Sequence, residues 1–206
     1  VENQGRKTLR RRDLDRDPIR QLRRWLKEAE GAGVAPPHGV TLATANRQGQ
    51  PAARVVLLRG LEERGPVFYS NYRSRKGEEL AQNPQAALLF YWPELARQVR
   101  VEGRVELLTA AESDRYFAGR PRGNQLGAHA SEQSRVIRDR AELEEAFAAA
   151  LRLFADGEVP RPPHWGGYRL VAEVLEFWQE GADRLHDRLR YRRDNEKIWV
   201  IERLAP

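Results

Sequence analysis

Neither cysteine nor methionine occurs anywhere in the 206 residues. The first absence excludes disulfides, thiolate metal sites and cysteine nucleophiles together. The second extends to position 1, the pattern expected of a chain that starts inside a longer or processed product. Long apolar runs are missing as well. The longest, Ala86 to Trp92, falls far short of the ~20 residues a membrane helix needs. The N-terminal residues are polar and Arg-rich with no apolar signal core, so a soluble, cytoplasmic protein is expected. The four histidines (His38, His129, His164, His186) show no HExxH or comparable spacing, and no metal site is expected. No GxGxxG, Walker A sequence, Ser-His-Asp order or paired-carboxylate site stands out.

What is present is charge. Charged residues make up 32% of the chain, the net charge is +6, the pI is near 10.0 and the mean hydropathy is −0.74. This balance favours anionic partners, whether nucleic acid, a membrane surface or phosphorylated small molecules, and composition does not choose among them. A hydrophobic fraction of 40% with five Trp supports a globular core. The length fits one domain with terminal additions. Residues 1–16 are expected to be a flexible basic arm, with 1–12 lacking periodicity, and residues 17–206 a single domain.

Asp17-Pro18 opens a helix, Asp as N-cap and Pro at the first helical position. Ile19, Leu22, Leu26 and Ala29 follow at helical spacing, and Gly31 and Gly33 end it. Strand-like runs follow at Val40–Ala45, Ala52–Arg59 and Val67–Asn71, with a turn at Asn46–Pro51 and a hairpin turn within Gly60–Val67. Ser74 caps a short helix through Ala81. Ala86–Tyr91 and Gln98–Leu107 read as strands, the second with Val99, Val101, Val105 and Leu107 on one face. Thr109 and Glu112 form a capping box for a helix to about Phe117. Arg120–Gln125 reads as a polar loop, Ala141–Phe154 as a helix and the Pro-rich Val159–Gly167 as a structured connection. Tyr168–Trp178, Arg184–Tyr191 and Lys197–Arg203 complete the strands, the last two as a hairpin turning at Asp194-Asn195. Many short strands without a βαβ rhythm indicate a mainly antiparallel β fold with helices (α+β), a decorated barrel rather than a parallel sheet.

The candidate chemistry is anion binding. In the stretch Glu176–Arg188, strand alternation would aim Arg184, His186 and Arg188 the same way, with Leu185 and Leu189 opposite. Such a row asks for an anion, or else is a solvated edge strand. Arg54-Val55-Val56-Leu57-Leu58-Arg59 brackets four aliphatics with arginines, as in a strand buried on both faces. Each arginine there needs an internal carboxylate or an anionic ligand. Ser74-Arg75-Lys76 places a hydroxyl and two cations at a helix start, where free N–H groups favour phosphate. Tyr116, Arg120 and Asn124 could supply a second set of donors, or form an ordinary polar loop. Much anion binding and little nucleophilic power suit an enzyme whose chemistry resides in a bound cofactor.

Taken together, from Leu9–Leu14 to Arg203–Pro206, these segments resemble the pyridoxine/pyridoxamine 5′-phosphate oxidase family. The specific pieces are Arg54–Arg59, Phe68–Asn71, Ser74–Lys76, Arg97–Val99, Tyr116-Phe117 with Arg120–Arg122, Gln133-Ser134 and Glu176–Arg188. The resemblance implies an FMN-binding split β-barrel acting as a homodimer, with flavin sites at the subunit interface and no nucleic-acid or membrane partner. FMN would be held by Arg54 through Arg59, Tyr69, Ser70, Arg75 and Lys76, with Gln98, Gln133, Ser134, Trp178 and Arg188 completing the site. The substrate would lie among Arg59, Tyr116, Arg120, Asn124, Arg184, Leu185 and His186, with Arg184 and His186 as the catalytic pair at the pyridine ring. The implied reaction oxidises pyridoxine or pyridoxamine 5′-phosphate with O₂ to pyridoxal 5′-phosphate and hydrogen peroxide, by hydride transfer from C4′ to flavin N5. Departures from the family pattern are Arg59 for a usual Lys, Asn124 for a usual Ser, His129 for a common aromatic, and an arm before Leu9 without its usual Arg and Tyr. A phenazine-pathway relative and a basic nucleic-acid-binding protein are the alternatives.

Overall fold

The computed structural model describes residues 8–155 and 157–206. Helix α1 (Pro18–Gly31) starts as its sequence dictates: the Asp17 carboxylate accepts from the Ile19 and Arg20 amides, and Pro18 stands where no donor is needed. Strands β1 (Gly39–Ala45) and β2 (Pro51–Leu57) form a hairpin, followed by β3 (Gly60–Glu62) and β4 (Gly65–Asn71). Ser74 caps α2 (Arg75–Gln82), which leads to β5 (Gln85–Trp92) and β6 (Arg97–Leu107). Three helices come next: α3 (Ala110–Ala118) with its Thr109/Glu112 capping box, α4 (Arg122–Ala130) and α5 (Arg140–Leu153). Strands β7 (Trp165–Gln179), β8 (Asp187–Arg193) and β9 (Trp199–Leu204) close the chain.

All the strand pairings are antiparallel, in the order β2-β1-β5-β6-β7-β4-β3, with β8 and β9 continuing from β7. β7 is the spine. It pairs with β6 along its length, with β4 over residues 165–169 and with β8 over residues 174–179. Changing partners midway on one edge splits the sheet into a half-barrel. A bulge at Glu173, left unpaired between the Glu102–Val174 and Gly103–Ala172 pairs, bends β7 there, and a Cβ at the facing Gly103 would lie 2.0 Å from the Val171 carbonyl oxygen. No helix among the described residues is long and apolar enough to cross a membrane.

The main core lies between α1 and one face of the sheet, where Leu22, Trp25, Leu42, Leu88, Phe90, Val101, Leu175 and Phe177 are buried. Trp25 meets Phe177 edge-on, ring centroids 5.1 Å apart. A second cluster, Phe117, Leu126, Ala150, Val159 and Trp165, packs α3 to α5 against the start of β7.

Several expectations are corrected. Residues 8–16 pack on the body rather than forming an arm: Leu9 and Leu14 are buried, and Asp187 accepts from the Leu9 amide and from Arg203. Residues 1–7 lie outside the described residues. β2 is an edge strand, not one buried on both faces: Val55 is 68% and Leu57 43% exposed. Leu107 is exposed at the last position of β6, while Val99, Val101 and Val105 keep the expected buried face. Arg122 onward is helix α4 rather than loop, since Pro121 serves as its N-cap residue although no side chain caps it. Arg184 is not in a strand with Arg188. A tight turn covers Ala182–Arg184, with Asp183 and Arg184 at φ 53° and 61°, and β8 begins at Asp187.

Candidate active site

A cleft of about 580 Å³ opens between the β2–β4 edge and the α3–α4 corner. It is lined by Val55, Val56, Leu57, Arg59, Tyr69, Ser70, Lys76, Tyr116, Arg120, Asn124 and Gln133, all residues expected at the site. Leu58 does not reach it; its side chain is in the core. Arg75 and Ser134 line a neighbouring cleft of about 500 Å³, which shares Gln133 with the first.

Lys76 forms the floor. The turn of α2 after the Ser74 cap buries its side chain, and Nζ donates to Ser70 Oγ and Ser74 Oγ at 3.0 Å each and to Gln133 Oε1 at 2.8 Å. All three acceptors are neutral. Burial and the neighbouring Arg54 cation therefore push the Lys76 ammonium down to about 8, with Glu79 pulling the other way.

Arg54 realises the internal-carboxylate alternative. It donates to Glu79 Oε2 at 3.0 Å and to Thr44 Oγ1. Glu79 also accepts from Arg75 Nε at 2.8 Å. Arg54 is thus tied to α2 and does not line the cleft, whereas Arg59, just beyond β2, does.

Tyr69 and Tyr116 stack with centroids 3.7 Å apart at 11°, and Trp165 lies nearly parallel, 5.6 Å from Tyr69. The Arg120 guanidinium sits 4.4 Å over the Trp165 ring. Its Nη1 is buried with no hydrogen-bond partner, and burial, with Arg59 nearby, pushes its pKa down. A guanidinium stays charged, so this nitrogen demands an acceptor from outside the chain. Trp165 and Glu79 were missed by sequence reasoning. Trp165 was inside a segment read as a connection, although a Trp before Gly166-Gly167 signals close packing: a Cβ at Gly167 would lie 2.5 Å from Leu108.

Gln98, Trp178, Arg184, Leu185, His186 and Arg188 lie elsewhere. Gln98, Trp178 and Arg188 are neighbours across β6, β7 and β8. The Trp178 and His186 rings are 4.8 Å apart, and His186 Nδ1 accepts from the Gly181 amide at 3.2 Å. Arg188 is held by Glu176 at 2.7 Å and donates to the Ala205 carbonyl. Arg184 and Leu185 are exposed. Trp178 is thirteen residues beyond Trp165 on β7, about 40 Å of strand at ~3.3 Å per residue. One chain does not bring the two groups together.

This fold is the FMN-binding split barrel. The chain belongs to the pyridoxine/pyridoxamine 5′-phosphate oxidase family. A family model described as pyridoxamine 5′-phosphate oxidase matches residues 26–153, and one described as the pyridoxine 5′-phosphate oxidase C-terminal dimerisation region matches residues 165–206. A pyridoxine/pyridoxamine 5′-phosphate oxidase of Burkholderia lata is 55% identical over 206 residues, covering 99% of this chain and 96% of the relative. Pyridoxine/pyridoxamine 5′-phosphate oxidase 1 of Ralstonia nicotianae is 58% identical over 194 residues, covering 94% and 91%. Among solved structures, PhzG from Burkholderia lata in complex with tetrahydrophenazine-1-carboxylic acid superposes with a TM-score of 0.90 at 37% identity, covering 97% of this chain and 98% of that one. A pyridoxamine 5′-phosphate oxidase-related, FMN-binding protein from Nostoc punctiforme shares the fold at a TM-score of 0.72 and 19% identity, covering 90% and 97%.

Proposed function

We propose that the protein oxidises pyridoxine 5′-phosphate or pyridoxamine 5′-phosphate with O₂ to pyridoxal 5′-phosphate, releasing hydrogen peroxide and, from the amine, ammonia. The observation that carries the reading is the unpartnered, buried Nη1 of Arg120 in a cleft shared with Arg59, Tyr116 and Asn124. These donors suit the substrate phosphate, and the names of relatives at 55–58% identity agree. When bound, FMN supplies a two-electron acceptor that O₂ reoxidises.

The residues present fit a phosphorylated flavin. Lys76 is a buried cation whose hydrogen-bond partners are neutral, beside Tyr69, Ser70 and Gln133 and at the α2 N-terminus. Arg75 and Ser134 extend the phosphate seat, Arg54 adds charge nearby, and Val55 to Leu58 offer main chain along the cleft edge. Gln98, Trp178 and Arg188 would complete the flavin site from a second copy of the chain, and Arg184, Leu185 and His186 the substrate site. That assignment makes the protein a homodimer. It is supported by the separation along β7, by exposed Val55 and Leu57 beside the cleft, and by the match to a dimerisation region. Phosphate contacts then fix the substrate remotely, so that orientation lowers the barrier at the reacting carbon. Arg184 stabilises developing charge at the ring, and His186, its Nδ1 occupied by the Gly181 amide, presents Nε2.

The reading includes a cytoplasmic enzyme without a nucleic-acid partner. Cations that a nucleic acid would need are spent on carboxylates: Arg169 on Glu62, Glu106 and Glu112, and Arg190 and Arg192 on Glu202. A second reading, oxidation of a phenazine precursor, is favoured by the likeness to PhzG. The test is turnover of the purified, FMN-loaded protein. Pyridoxal 5′-phosphate and peroxide from pyridoxine 5′-phosphate support the proposal. A yellow protein inert to both phosphorylated vitamers but active on a dihydro- or tetrahydrophenazine carboxylate overturns it in favour of the second reading.

A further inference from the structure

Glu79 is a buried acid that the reaction proposed above does not use. It lies on α2, 5% exposed, one turn beyond Arg75. Its Oε1 accepts from Arg75 Nε at 2.8 Å, and its Oε2 from Arg54 Nη2 at 3.0 Å and Thr44 Oγ1 at 2.5 Å. Burial opposes ionisation, but the donors on Thr44, Arg75 and Arg54 outweigh it and hold the carboxyl below its usual range. The arginines it grips come from different elements, β2 and the start of α2, and Lys76 follows Arg75 directly.

We infer that Glu79 is a positioning residue for the phosphate seat: it holds Arg54 and Arg75 in fixed orientations around Lys76 without touching the ligand. This rests on the reading that FMN binds there. A long arginine side chain loses rotamer freedom when it is ordered around a ligand, and a buried carboxylate shared by two guanidiniums removes that freedom before the ligand arrives. The charges also balance. Arg54, Arg75 and Lys76 against Glu79 leave two positive charges, and a phosphomonoester brings about −1.5 to −2 at neutral pH. The charged groups around Lys76 are Arg54 from β2 and Arg75 and Glu79 from α2, while Ser70 and Gln133 contribute neutral oxygens. Within this set Glu79 is the group that favours the ammonium form.

The test is FMN titration of the flavin-free, full-length protein from pH 6 to 10, followed by flavin fluorescence, with thermal melts to confirm folding. Wild type binds FMN and loses affinity above a midpoint near pH 8. Glu79→Gln keeps the shape and removes the charge. It raises the Kd about tenfold at pH 7, the scale on which orienting partners of metal ligands act, and moves the midpoint to lower pH. Glu79→Asp keeps the charge, so it weakens binding less and leaves the midpoint near that of wild type; it also serves if the Gln variant does not fold. A Glu79→Gln protein with wild-type affinity, with tighter binding, or with weaker binding at an unmoved midpoint overturns the inference while FMN binding by wild type stands. Wild type that takes up no FMN overturns the reading of the seat and the inference together.

Discussion

Replacing Lys76 by Met should weaken FMN binding and remove its dependence on alkaline pH. In the free protein Nζ is buried, hydrogen-bonded to neutral oxygens and near Arg54, which puts its pKa at about 8 rather than 10.5. A bound phosphate favours the ammonium form and raises that value, so binding takes up a proton above pH 8. The Kd of wild type should then rise about tenfold per pH unit above ~8, until the pKa of the complex is reached. Below pH 8 affinity should be level down to about pH 6, where a phosphomonoester begins to protonate. A hydrogen bond to a charged group contributes ~1.5–3 kcal/mol, so loss of Nζ should raise the Kd at pH 7 about 10- to 100-fold. The flavin-free protein should respond in the opposite sense. Its depressed lysine pKa means the unfolded chain binds more protons between about pH 8 and 10.5, so stability rises with pH across that window. Lys76→Met should accordingly melt higher than wild type below pH 8. Fluorescence titrations and melts across pH 6–10 check both limbs. A flat wild-type profile to pH 10, or an alkaline limb that survives in Lys76→Met, would refute the assignment of that limb to Lys76.

Three further outcomes are expected. Arg120→Ala should lower kcat/KM for the phosphorylated substrate about 10- to 100-fold, the value of a charged hydrogen bond, while FMN stays bound; equal loss of both would contradict the division of the cleft. Arg120→Ala and Arg184→Ala proteins, each strongly impaired alone, should regain activity when unfolded and refolded together, because the mixed dimer has one unaltered site; random pairing gives about a quarter of wild-type activity, and no gain over the separate variants would show that the sites are not shared. Trp25→Ala should cost about 3–5 kcal/mol of stability through the cavity left against Phe177, read as a lowered urea midpoint.

Much of the fold was legible because local chemistry and tertiary packing agree. The Asp17-Pro18 start, the Ser74 and Thr109 caps and the turn at Asp194 carry their own hydrogen bonds, and these form as the residue types require. What stayed hidden depends on partners distant in sequence. An apolar run such as Val55–Leu58 reads the same whether its own chain or another covers it, so the edge position of β2 was invisible. The alternation of Arg184, His186 and Arg188 assumed a strand, whereas positive φ at Asp183 and Arg184 turns the chain before Asp187. Arg54 could be assigned an ion pair in general, but naming Glu79 needed the packing of α2 on β1 and β2. The site residues were recognisable individually; that they form two groups at opposite ends of β7 was not.

The length of β7 constrains how this gene can vary. Trp165 supports the Arg120 cleft at one end, and Trp178 stands beside Arg188 and His186 at the other. Inserting one codon between them would turn Trp178 to the opposite side of the sheet. Inserting two would restore its side but displace it by about 7 Å. Loops such as Asn46–Gln50 can absorb such changes, whereas this interior segment should tolerate substitution yet reject insertions and deletions of any size.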